Sequence, residues 1–575
     1  MNLINVKKDI LNMKKFIYTI LSLCSVALFA SCEKGDILNI VNQDIDLNEN
    51  SSEYQEYLKE RIDTYLAIYR FEEAKRSIAK ITDSAIKKDI WLKYNRYYQE
   101  ALKQGCGYIL ESGDTLFLKV KNDDNIASNQ LEILTEFYDY VGLKSTNKDV
   151  TLWGLANFPS LETLTFPSCF VSKVQDLDKL TKLKVFWFEA NKEKYDWWFT
   201  NKPFKPVDMA GYDLSKNNQL ETLSFKGADL TNLKVPATTL QSLSLKNGVY
   251  TNANLNNIHA KVIDIESSDA ADEQLILNNK ALQALSISTN TAENKAFKLL
   301  NVANTSLHKL YVVENADKEH SLKKIILNDK IDTLTLGGYL NQIVSLHESV
   351  ELEGLSKLNK LKYFAYNPDF SAVATKDLPK NIEFLVLGGS GNVPYKDNDS
   401  FDYSHLTKLK TYSNGKFLSA NMKFPEQLDS IHLFPSMAFG DIKNIDFSHT
   451  KLTSGYIYIG HLEKDGKPIP MFKSIVFPAT LKRIELYNLK TEVLDLSRCT
   501  QLEALTLDDT TSDELYIKKV ILPKNLKKST FKREPTEFWS GYTIILRDVN
   551  KDTVIENKPS WLVSDGNGNY IVSED

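Results

Sequence analysis

The chain has 575 residues, of which 42% are hydrophobic and 25% charged, and its formal net charge is −5 at pH 7. This composition is that of an ordinary globular protein and excludes collagen-like and largely disordered chains. The mildly acidic balance also argues against nucleic acid as a partner.

The first 31 residues have the organisation of a secretory signal peptide. Lys14 and Lys15 precede an apolar run over residues 16–30, and Ser31 lies directly before Cys32. The run is too short to be a convincing membrane span. A cysteine directly after L-F-A-S resembles the lipobox of bacterial lipoproteins, which implies that Cys32 is lipidated and anchors the protein to a membrane. The alternative is an ordinary cleaved signal with a cysteine nearby by chance.

The segment after the signal peptide is polar. Residues 32–52 are rich in Asn, Asp and Gln and are predicted to be a tether. Residues 33–36 loosely resemble the charged export tag that sends lipoproteins of Bacteroides-type bacteria to the cell surface. This resemblance implies a bacterial outer-membrane location with the chain exposed at the cell surface, and a periplasmic face is the alternative.

Residues 53–150 are predicted to form a mainly helical N-terminal domain. Apolar residues recur at spacings of three and four over residues 53–104, which predicts two or three amphipathic helices. Residues 107–120 are predicted to form a hairpin, and residues 131–141 a further helix.

A repeated apolar template dominates residues 151–531. The stretch TEVLDLSRCTQLEALTLDD at 491–509 follows the pattern L-x-x-L-x-L-x-x-N/C, which resembles the leucine-rich repeat. The units DLSKNNQLETLSF from Asp213 and DLSRCTQLEALTL from Asp495 also resemble the repeats of Bacteroidetes surface leucine-rich proteins. The resemblance implies a solenoid, because one coil cannot bury its own apolar face without stacked neighbours.

The spacing of the template copies predicts how each coil is built. Many copies start about 20–25 residues apart, which is the length of one leucine-rich coil. Others, at 472, 481, 491, 502 and 517, are closer and predict a second strand on the opposite side of each coil. The template stops after residue 531, so residues 532–575 are predicted to be a C-terminal cap containing a hairpin. The expected fold is a leucine-rich β-solenoid with a helical N-terminal domain and a small β cap.

The sequence offers little for catalysis. It contains no phosphate-binding loop, no H-E-x-x-H and no G-x-S-x-G motif, and its histidines have no metal-ligand spacing. Cys106, Cys169 and Cys499 are too far apart for a disulfide framework or a zinc site. Cys169 and Cys499 are interpreted as the Asn/Cys position of a repeat. We therefore expect no enzyme activity, no catalytic residue, no cofactor and no metal.

Aromatic side chains at the solvent-facing positions of the predicted strands are candidate ligand contacts. Such residues give a large contact area at low entropic cost, which suits both protein anchors and sugar stacking. The alternative is that these strands face the other side of the solenoid, or that neighbouring rings cover each other. The candidates are Trp187, Tyr311, Tyr363, Phe384, His432, Phe434 and Tyr487.

The insertion at residues 191–209 is the best site candidate in the sequence. It lengthens one repeat and concentrates aromatic residues among lysines and prolines, and an exposed apolar loop is costly without a partner. Folding of the loop onto the solenoid edge is the alternative. Its aromatic residues are Tyr195, Trp197, Trp198, Phe199 and Phe204.

Taken together, these patterns predict a lipid-anchored envelope protein that acts as a non-catalytic binding or adhesion module for a protein or a glycan. The aromatic insertion would suit an alternative role in glycan capture for a nutrient-uptake system. The helical region would suit a periplasm-facing scaffold. The fold signal itself says almost nothing about the ligand.

Overall fold

The computed structural model describes most of the chain from residue 51 onwards. The described residues are 51–67, 70–104, 106–109, 115–118, 130–132, 150–169, 171–190, 206–288, 297–313, 322–337, 350–366, 375–388, 401–415, 417–419, 422–434, 437–439, 444–458, 463–464, 467–468, 472–487, 489, 491–508, 517–526, 544–547, 552–564, 566 and 570–573. They belong to two compact units, one within residues 1–121 and 152–157 and the other within residues 122–151 and 158–575.

The described residues of the first unit form three helices and a hairpin. The helices are α1 (Ser52–Ala67), α2 (Phe71–Ala79) and α3 (Ser84–Gln104). Strands β1 (Cys106–Ile109) and β2 (Thr115–Leu118) pair antiparallel. The helices and the hairpin predicted from periodicity are therefore confirmed.

The helices of the first unit pack around an apolar cluster. Leu58, Ile62 and Leu66 recur one turn apart on α1 and are all buried. Phe71 of α2 contacts the ring of Tyr94 edge to face, with ring centroids 5.5 Å apart. Apolar residues spaced three and four positions apart lie on one face of each helix, and these faces form the cluster.

The described part of the second unit is built from short strands, with one short α-helix. In chain order its elements, together with β4, are β3 (Gln130–Glu132), β4 (Thr151–Trp153), β5 (Thr163–Cys169), β6 (Lys173–Val174), β7 (Val185–Ala190), β8 (Val207–Asp208), β9 (Thr222–Lys226), β10 (Ala228–Asp229), β11 (Leu240–Lys246), β12 (Val249–Tyr250), α4 (Asn252–Asn257), β13 (Ala260–Glu266), β14 (Asp269–Ala270), β15 (Gln274–Ile276), β16 (Ala284–Ser288), β17 (Leu299–Asn301), β18 (Lys309–Val313), β19 (Lys324–Ile326), β20 (Thr333–Leu336) and β21 (Glu351–Glu353). They continue with β22 (Tyr363–Tyr366), β23 (Phe384–Leu387), β24 (Thr411–Asn414), β25 (Phe417–Ser419), β26 (Ser430–Leu433), β27 (Met437–Phe439), β28 (Asn444–Asp446), β29 (Ser454–Tyr458), β30 (Glu463–Lys464), β31 (Lys467–Pro468), β32 (Phe472–Val476), β33 (Arg483–Tyr487), β34 (Thr491–Asp495), β35 (Ala504–Asp508), β36 (Lys519–Ile521), β37 (Ile544–Arg547), β38 (Val554–Glu556), β39 (Leu562–Ser564) and β40 (Tyr570–Val572).

One long parallel sheet, here called the ribbon, runs through the second unit. Buried residues pair with buried residues along it, as where Leu243 lies between Leu223 and Ile263. The solvent-facing residues alternate with them, as a period of two requires. The ribbon strands, in order of pairing, are β3, β5, β7, β9, β11, β13, β16, β18, β20, β22, β23, β24, β26, β29, β33, β35 and β37.

Further short parallel sheets form the second side of the coils. The strands at 472, 491 and 517 belong to one of them, in which β32 pairs with β34 and β34 with β36. The alternate strands β33 and β35 belong to the ribbon. The prediction that closely spaced template copies are opposite sides of one coil is therefore confirmed, and the chain is a parallel β-solenoid with leucine-rich coils.

The Asn/Cys position lies in the turn that leads from the second side into the ribbon. Asn217 is fully buried, and its Nδ2 donates hydrogen bonds to the carbonyls of Leu177 and Leu180 at 2.8 and 2.9 Å. Cys499 takes the same place, and its thiol donates to the carbonyl of Pro478 at 3.5 Å. Each of these carbonyls also accepts a backbone amide of its own turn, so the buried side chain adds a second bond and ties one coil to the turn of the preceding coil.

Three predictions differ from the structure. Residues 131 and 132, predicted to begin a helix, belong to strand β3, which pairs with β5, and residues 133–141 lie outside the described part. Cys169 ends a ribbon strand, where it pairs with Ala190, so it does not hold the turn position of Cys499. The alternation over residues 540–563 predicted a hairpin there, but β37 joins the ribbon and β38 joins the second side, and the antiparallel hairpin of the C-terminal residues is formed by β39 and β40.

Candidate functional site

The solvent-facing side of the ribbon changes character along its length. Over β9, β11, β13 and β16 it carries one in-register row of small polar or acidic residues, Ser224, Ser244, Asp264 and Ser286. We call this the polar patch. Over β22 to β33 aromatic side chains replace them, and we call this the aromatic patch, formed by Tyr363, Phe384, His432, Phe434, Tyr456 and Tyr487.

Three rings of the aromatic patch form a stack across neighbouring strands. The ring centroids of Phe434 and Tyr456 are 4.8 Å apart at an interplanar angle of 28°. Those of Tyr456 and Tyr487 are 5.1 Å apart at 29°. The stacked residues are diagonal neighbours, because Tyr456 pairs with His432 and Glu485, which lie two residues before Phe434 and Tyr487. Long aromatic side chains can reach across such a diagonal. All three side chains are half-buried and none belongs to the inward-facing core.

A second pair of rings lies further along the patch. Tyr363 of β22 is in register with Phe384 of β23, and their ring centroids are 6.4 Å apart at 34°. Phe384 is 41% exposed, which is high for a phenylalanine in a strand. An apolar side chain in this position is accessible to a partner.

Polar groups run through the aromatic patch in one in-register row. Ser413, His432, Tyr456 and Glu485 pair in that order across β24, β26, β29 and β33. Ser413 is only 6% exposed, and its hydroxyl has no hydrogen-bond partner in the structure. The hydroxyl of Tyr487 donates to Glu485 Oε2 at 3.1 Å. The row thus places hydrogen-bonding groups beside the stacked rings.

The electrostatics of this row follow from partial burial and from Glu485. Although His432 is exposed overall, desolvation of its imidazole lowers its pKa, and the negative charge of Glu485 opposes that shift. Burial raises the pKa of Tyr456, and Glu485 adds to the effect. His432 is therefore mainly neutral and Tyr456 fully protonated at neutral pH.

The structure describes some of the candidate residues but leaves others out. Trp187 faces solvent on β7, in register with Thr165 and Ser224, and Tyr311 faces solvent on β18, away from the aromatic stack. Tyr195, Trp197, Trp198 and Phe199 lie outside the described residues, as does Cys32. The end of the predicted insertion belongs to the solenoid, because Val207 and Asp208 form β8 and Met209 is buried.

Two residues of the site were missed in the sequence. Tyr456 lies on a strand whose inward position is Gly455 instead of leucine, so the template did not match. No pattern in the sequence distinguishes Glu485 from other charged surface residues. Alternation around Ile457 identifies Tyr456 as solvent-facing, but only the register between strands brings it beside Glu485.

The described residues offer neither a metal-binding cluster nor, at Cys106 and Cys499, an activated thiol. No group of three or more His, Cys, Asp or Glu side chains among them is arranged to hold a metal ion. Burial raises the pKa of Cys106 and of Cys499 to about 12, so neither thiol is a nucleophile at neutral pH. Within the same residues, no helix is both long and apolar enough to cross a membrane.

Comparison with known proteins adds little to this description. No protein-family model matches the chain, and no curated protein matches it. Among solved structures, it is similar to the functional domain of InlJ from Listeria monocytogenes, which is described as including a cysteine ladder. The two are 16% identical over 64% of this chain and 69% of that chain, with a TM-score of 0.28. The class defined here, a leucine-rich parallel β-solenoid, therefore rests on the strand pairing of this chain.

Proposed function

We propose that this protein is a non-catalytic binding module that takes a protein partner on the aromatic patch. The observation that carries the proposal is the stack of Phe434, Tyr456 and Tyr487, three half-buried rings on the solvent side of a rigid sheet. Tyrosine is among the residues that contribute most to protein interfaces, and rings already held by their neighbours lose little entropy on binding.

The orientation of the rings favours a protein over a glycan at this patch. Sugar rings bind by stacking on an open aromatic face, and both faces of Tyr456 are covered by Phe434 and Tyr487. Tyr456 therefore offers its edge and its hydroxyl. Ring edges suit the mixed apolar and hydrogen-bonding surface of a polypeptide.

Glycan binding is the second candidate function, and a different segment favours it. Residues 191–205 contain Tyr195, Trp197, Trp198 and Phe199 among lysines and a proline. Tryptophan and tyrosine rings with open faces are suited to sugar stacking. We propose this segment as the site of that second function.

Binding arrays test the two candidates together. The purified protein is applied to an array of defined dodecapeptides, a panel of purified proteins and a glycan array. Tyr456→Ala should weaken binding to the peptide or protein ligands by about 30-fold, the effect of losing a hot-spot contact of about 2 kcal/mol. Tyr311→Ala, on the same face but outside the stack, should leave it unchanged.

Two results on the same arrays would overturn the proposal. If Tyr456→Ala and Phe434→Ala, both folded by circular dichroism, bind every peptide or protein ligand as tightly as the unchanged protein, the aromatic patch is not the site. If only glycans bind, and Trp197→Ala with Trp198→Ala abolishes that binding, the second candidate replaces the first.

We also propose that the protein is anchored by lipid at Cys32 in a bacterial outer membrane and faces the cell surface. The support is the sequence before Cys32, which resembles a lipobox. In a Bacteroides-type host, Cys32→Ala should abolish incorporation of labelled palmitate. Cys24→Ala, which changes a cysteine inside the apolar run of the signal peptide, should retain it. Loss of the protein on protease treatment of intact cells would support the surface location. Palmitate labelling of Cys32→Ala would contradict the anchor.

A further inference from the structure

Lysines are concentrated on the turns that lead into β22, β23 and β24. These turns, residues 354–362, 375–383 and 401–410, contain seven lysines and three carboxylates. The corresponding turns on either side, residues 327–332 and 422–429, each contain two carboxylates and one lysine. The excess of positive charge is thus bounded on both sides, in a chain whose formal net charge is −5. We call this surface the basic patch, and its lysines, all exposed, are Lys357, Lys360, Lys362, Lys376, Lys380, Lys408 and Lys410.

The pairing of the ribbon strands brings these turns together. The amide of Glu383 donates to the carbonyl of Lys362, and the amide of Lys410 donates to the carbonyl of Glu383, both at 2.8 Å. These three residues directly precede β22, β23 and β24, which pair in that order. Lys360 and Lys408 lie two residues earlier in their turns. Because neighbouring strands are about 4.8 Å apart, the lysines of all three turns lie along one short edge of the ribbon.

Glu383 neutralises only part of this charge. Its carboxylate lies 2.7 Å from Nζ of Lys410 and 3.9 Å from Nζ of Lys362. The hydrogen bond from Lys410 lowers the pKa of Glu383, and the charges of Lys362 and Lys408 lower it further. One carboxylate is therefore shared among several ammonium groups. The other lysines of the basic patch form no ion pair with any residue that the structure describes.

The basic patch borders the aromatic patch. Tyr363 directly follows Lys362, and Phe384 directly follows Glu383. The two rings are 6.4 Å apart between centroids, and Phe384 is 41% exposed. Positive charge and an exposed apolar ring are thus neighbours on one surface.

We propose that the basic patch binds an acidic segment of the protein partner that occupies the aromatic patch. The inference rests on the proposed function and adds the charge of its ligand. Exposed ammonium groups attract carboxylates and speed their encounter. A polypeptide can place an uncharged residue opposite Glu383. A uniformly charged polymer or an anionic membrane would bring like charge against that carboxylate, which disfavours binding.

Two blocked dodecapeptides measure the effect of charge. One repeats Glu-Leu-Glu-Gly, and the other repeats Gln-Leu-Gln-Gly, which has nearly the same shape without the carboxylates. Each is titrated into the full chain by isothermal titration calorimetry. The glutamate peptide should bind at least tenfold more tightly than the glutamine peptide. Added salt should reduce the difference, because it screens exposed charges.

Charge reversal assigns the binding to the basic patch. Lys360→Glu, Lys380→Glu and Lys408→Glu, combined in one variant, should weaken binding of the glutamate peptide at least tenfold. The matched control reverses three other exposed lysines, which lie in turns outside the basic patch, and so changes the net charge equally. It should leave the affinity unchanged, and thermal unfolding by circular dichroism checks that both variants are folded. The lysines changed to glutamate in the control are Lys182, Lys216 and Lys280.

Several outcomes would overturn the acidic ligand. Equal binding of the two peptides, no binding of the glutamate peptide, or unchanged binding to the folded patch variant would each do so. Heparin and vesicles of phosphatidylglycerol are titrated in parallel. If either binds through the same lysines at least as tightly as the glutamate peptide, the ligand is a polyanion of another class and the inference fails.

The proposed function is judged separately, by the dependence of array ligands on Tyr456. If the peptide tests fail while array ligands still depend on Tyr456, the aromatic patch remains the binding face. If array ligands do not depend on Tyr456, the proposed function fails, whatever the basic patch binds.

Discussion

Gly455 holds an inward position of the ribbon where its neighbours carry isoleucine. It pairs with Ile431 on one side and with Ile484 on the other. A Cβ at Gly455 would lie 2.5 Å from Cδ1 of Ile484 and 3.3 Å from Cγ2 of Ile431. We predict that Gly455→Ala lowers the free energy of unfolding by about 1–3 kcal/mol, because an overpacked core forces side chains from their preferred rotamers. Urea unfolding measures the change.

Ile484→Val provides the matched control for this prediction, because it removes the Cδ1 atom that the new methyl group would meet. Alone, it should cost about 0.5–1.5 kcal/mol. Combined with Gly455→Ala, it should restore part of the lost stability, so the double variant is more stable than the two separate effects predict. Simple additivity would show that this contact is not the cause.

The sequence predicts which residues of the site face solvent, but it does not predict which of them contact each other. Alternation within a strand was enough to predict that Tyr363, Phe434 and Tyr487 face solvent. The stacking of Phe434 on Tyr456 depends instead on register between strands. Register depends on the lengths and conformations of the intervening turns, which vary from coil to coil. The sequence therefore predicted the members of the patch better than their contacts.

At the scale of elements, two kinds of turn alternate before the ribbon strands of the C-terminal coils. Strands β23, β26 and β33 follow a turn of the form P-x-x-I or P-x-x-L, in which the amide of residue 382, 428 or 481 donates to the carbonyl of Pro379, Pro425 or Pro478. Strands β24, β29 and β35 follow a turn in which Asp402, Asp446 or Asp495 accepts from the amide two residues on. Two coils thus form one structural unit here.

This alternation was available in the sequence but was hidden by the leucine template. Proline fixes its own φ, and aspartate bonds to its own backbone two residues on, so the two turns direct the chain by different means. Their side chains have no part in the L-x-x-L-x-L pattern. A search on the leucines alone therefore finds the strands and misses the unit of two coils.

Charged residues just before the ribbon strands support the register of neighbouring coils. Glu162 pairs with Lys184 at 2.9 Å, and Glu383 pairs with Lys410 at 2.7 Å. Exposed pairs of this kind contribute about 0–1 kcal/mol each. Their alternation in sign matters more than their strength, because like charges directly opposite each other disfavour a shifted register.

Over the whole second unit, described strands pair with their immediate neighbours until an antiparallel hairpin is reached. Strands β39 and β40 pair antiparallel, and β40 also pairs with β37. The solenoid therefore continues past residue 531, where the leucine template ends. The sequence boundary was misleading because β37 reads I-I-L-R and β38 reads V-I-E, and neither contains the full template. These two strands form because they pair with β35 and β36, the edge strands of the preceding coil, although their own sequences lack the template.

The last coil offers a test of this continuity. Leu546 of β37 is fully buried against the ribbon edge, where it pairs with Leu507, whereas Val554 of β38 is 55% exposed. Leu546→Asp should lower the free energy of unfolding by about 3–5 kcal/mol, because it leaves an uncompensated charge in the core. Val554→Asp should change it by less than about 0.5 kcal/mol.

Hydrogen exchange at the amides of β35 locates the effect, because coils of a solenoid stabilise their neighbours. Protection of β35 should fall in Leu546→Asp alone, and unchanged protection would mean that residues 532–575 form a separate cap after all.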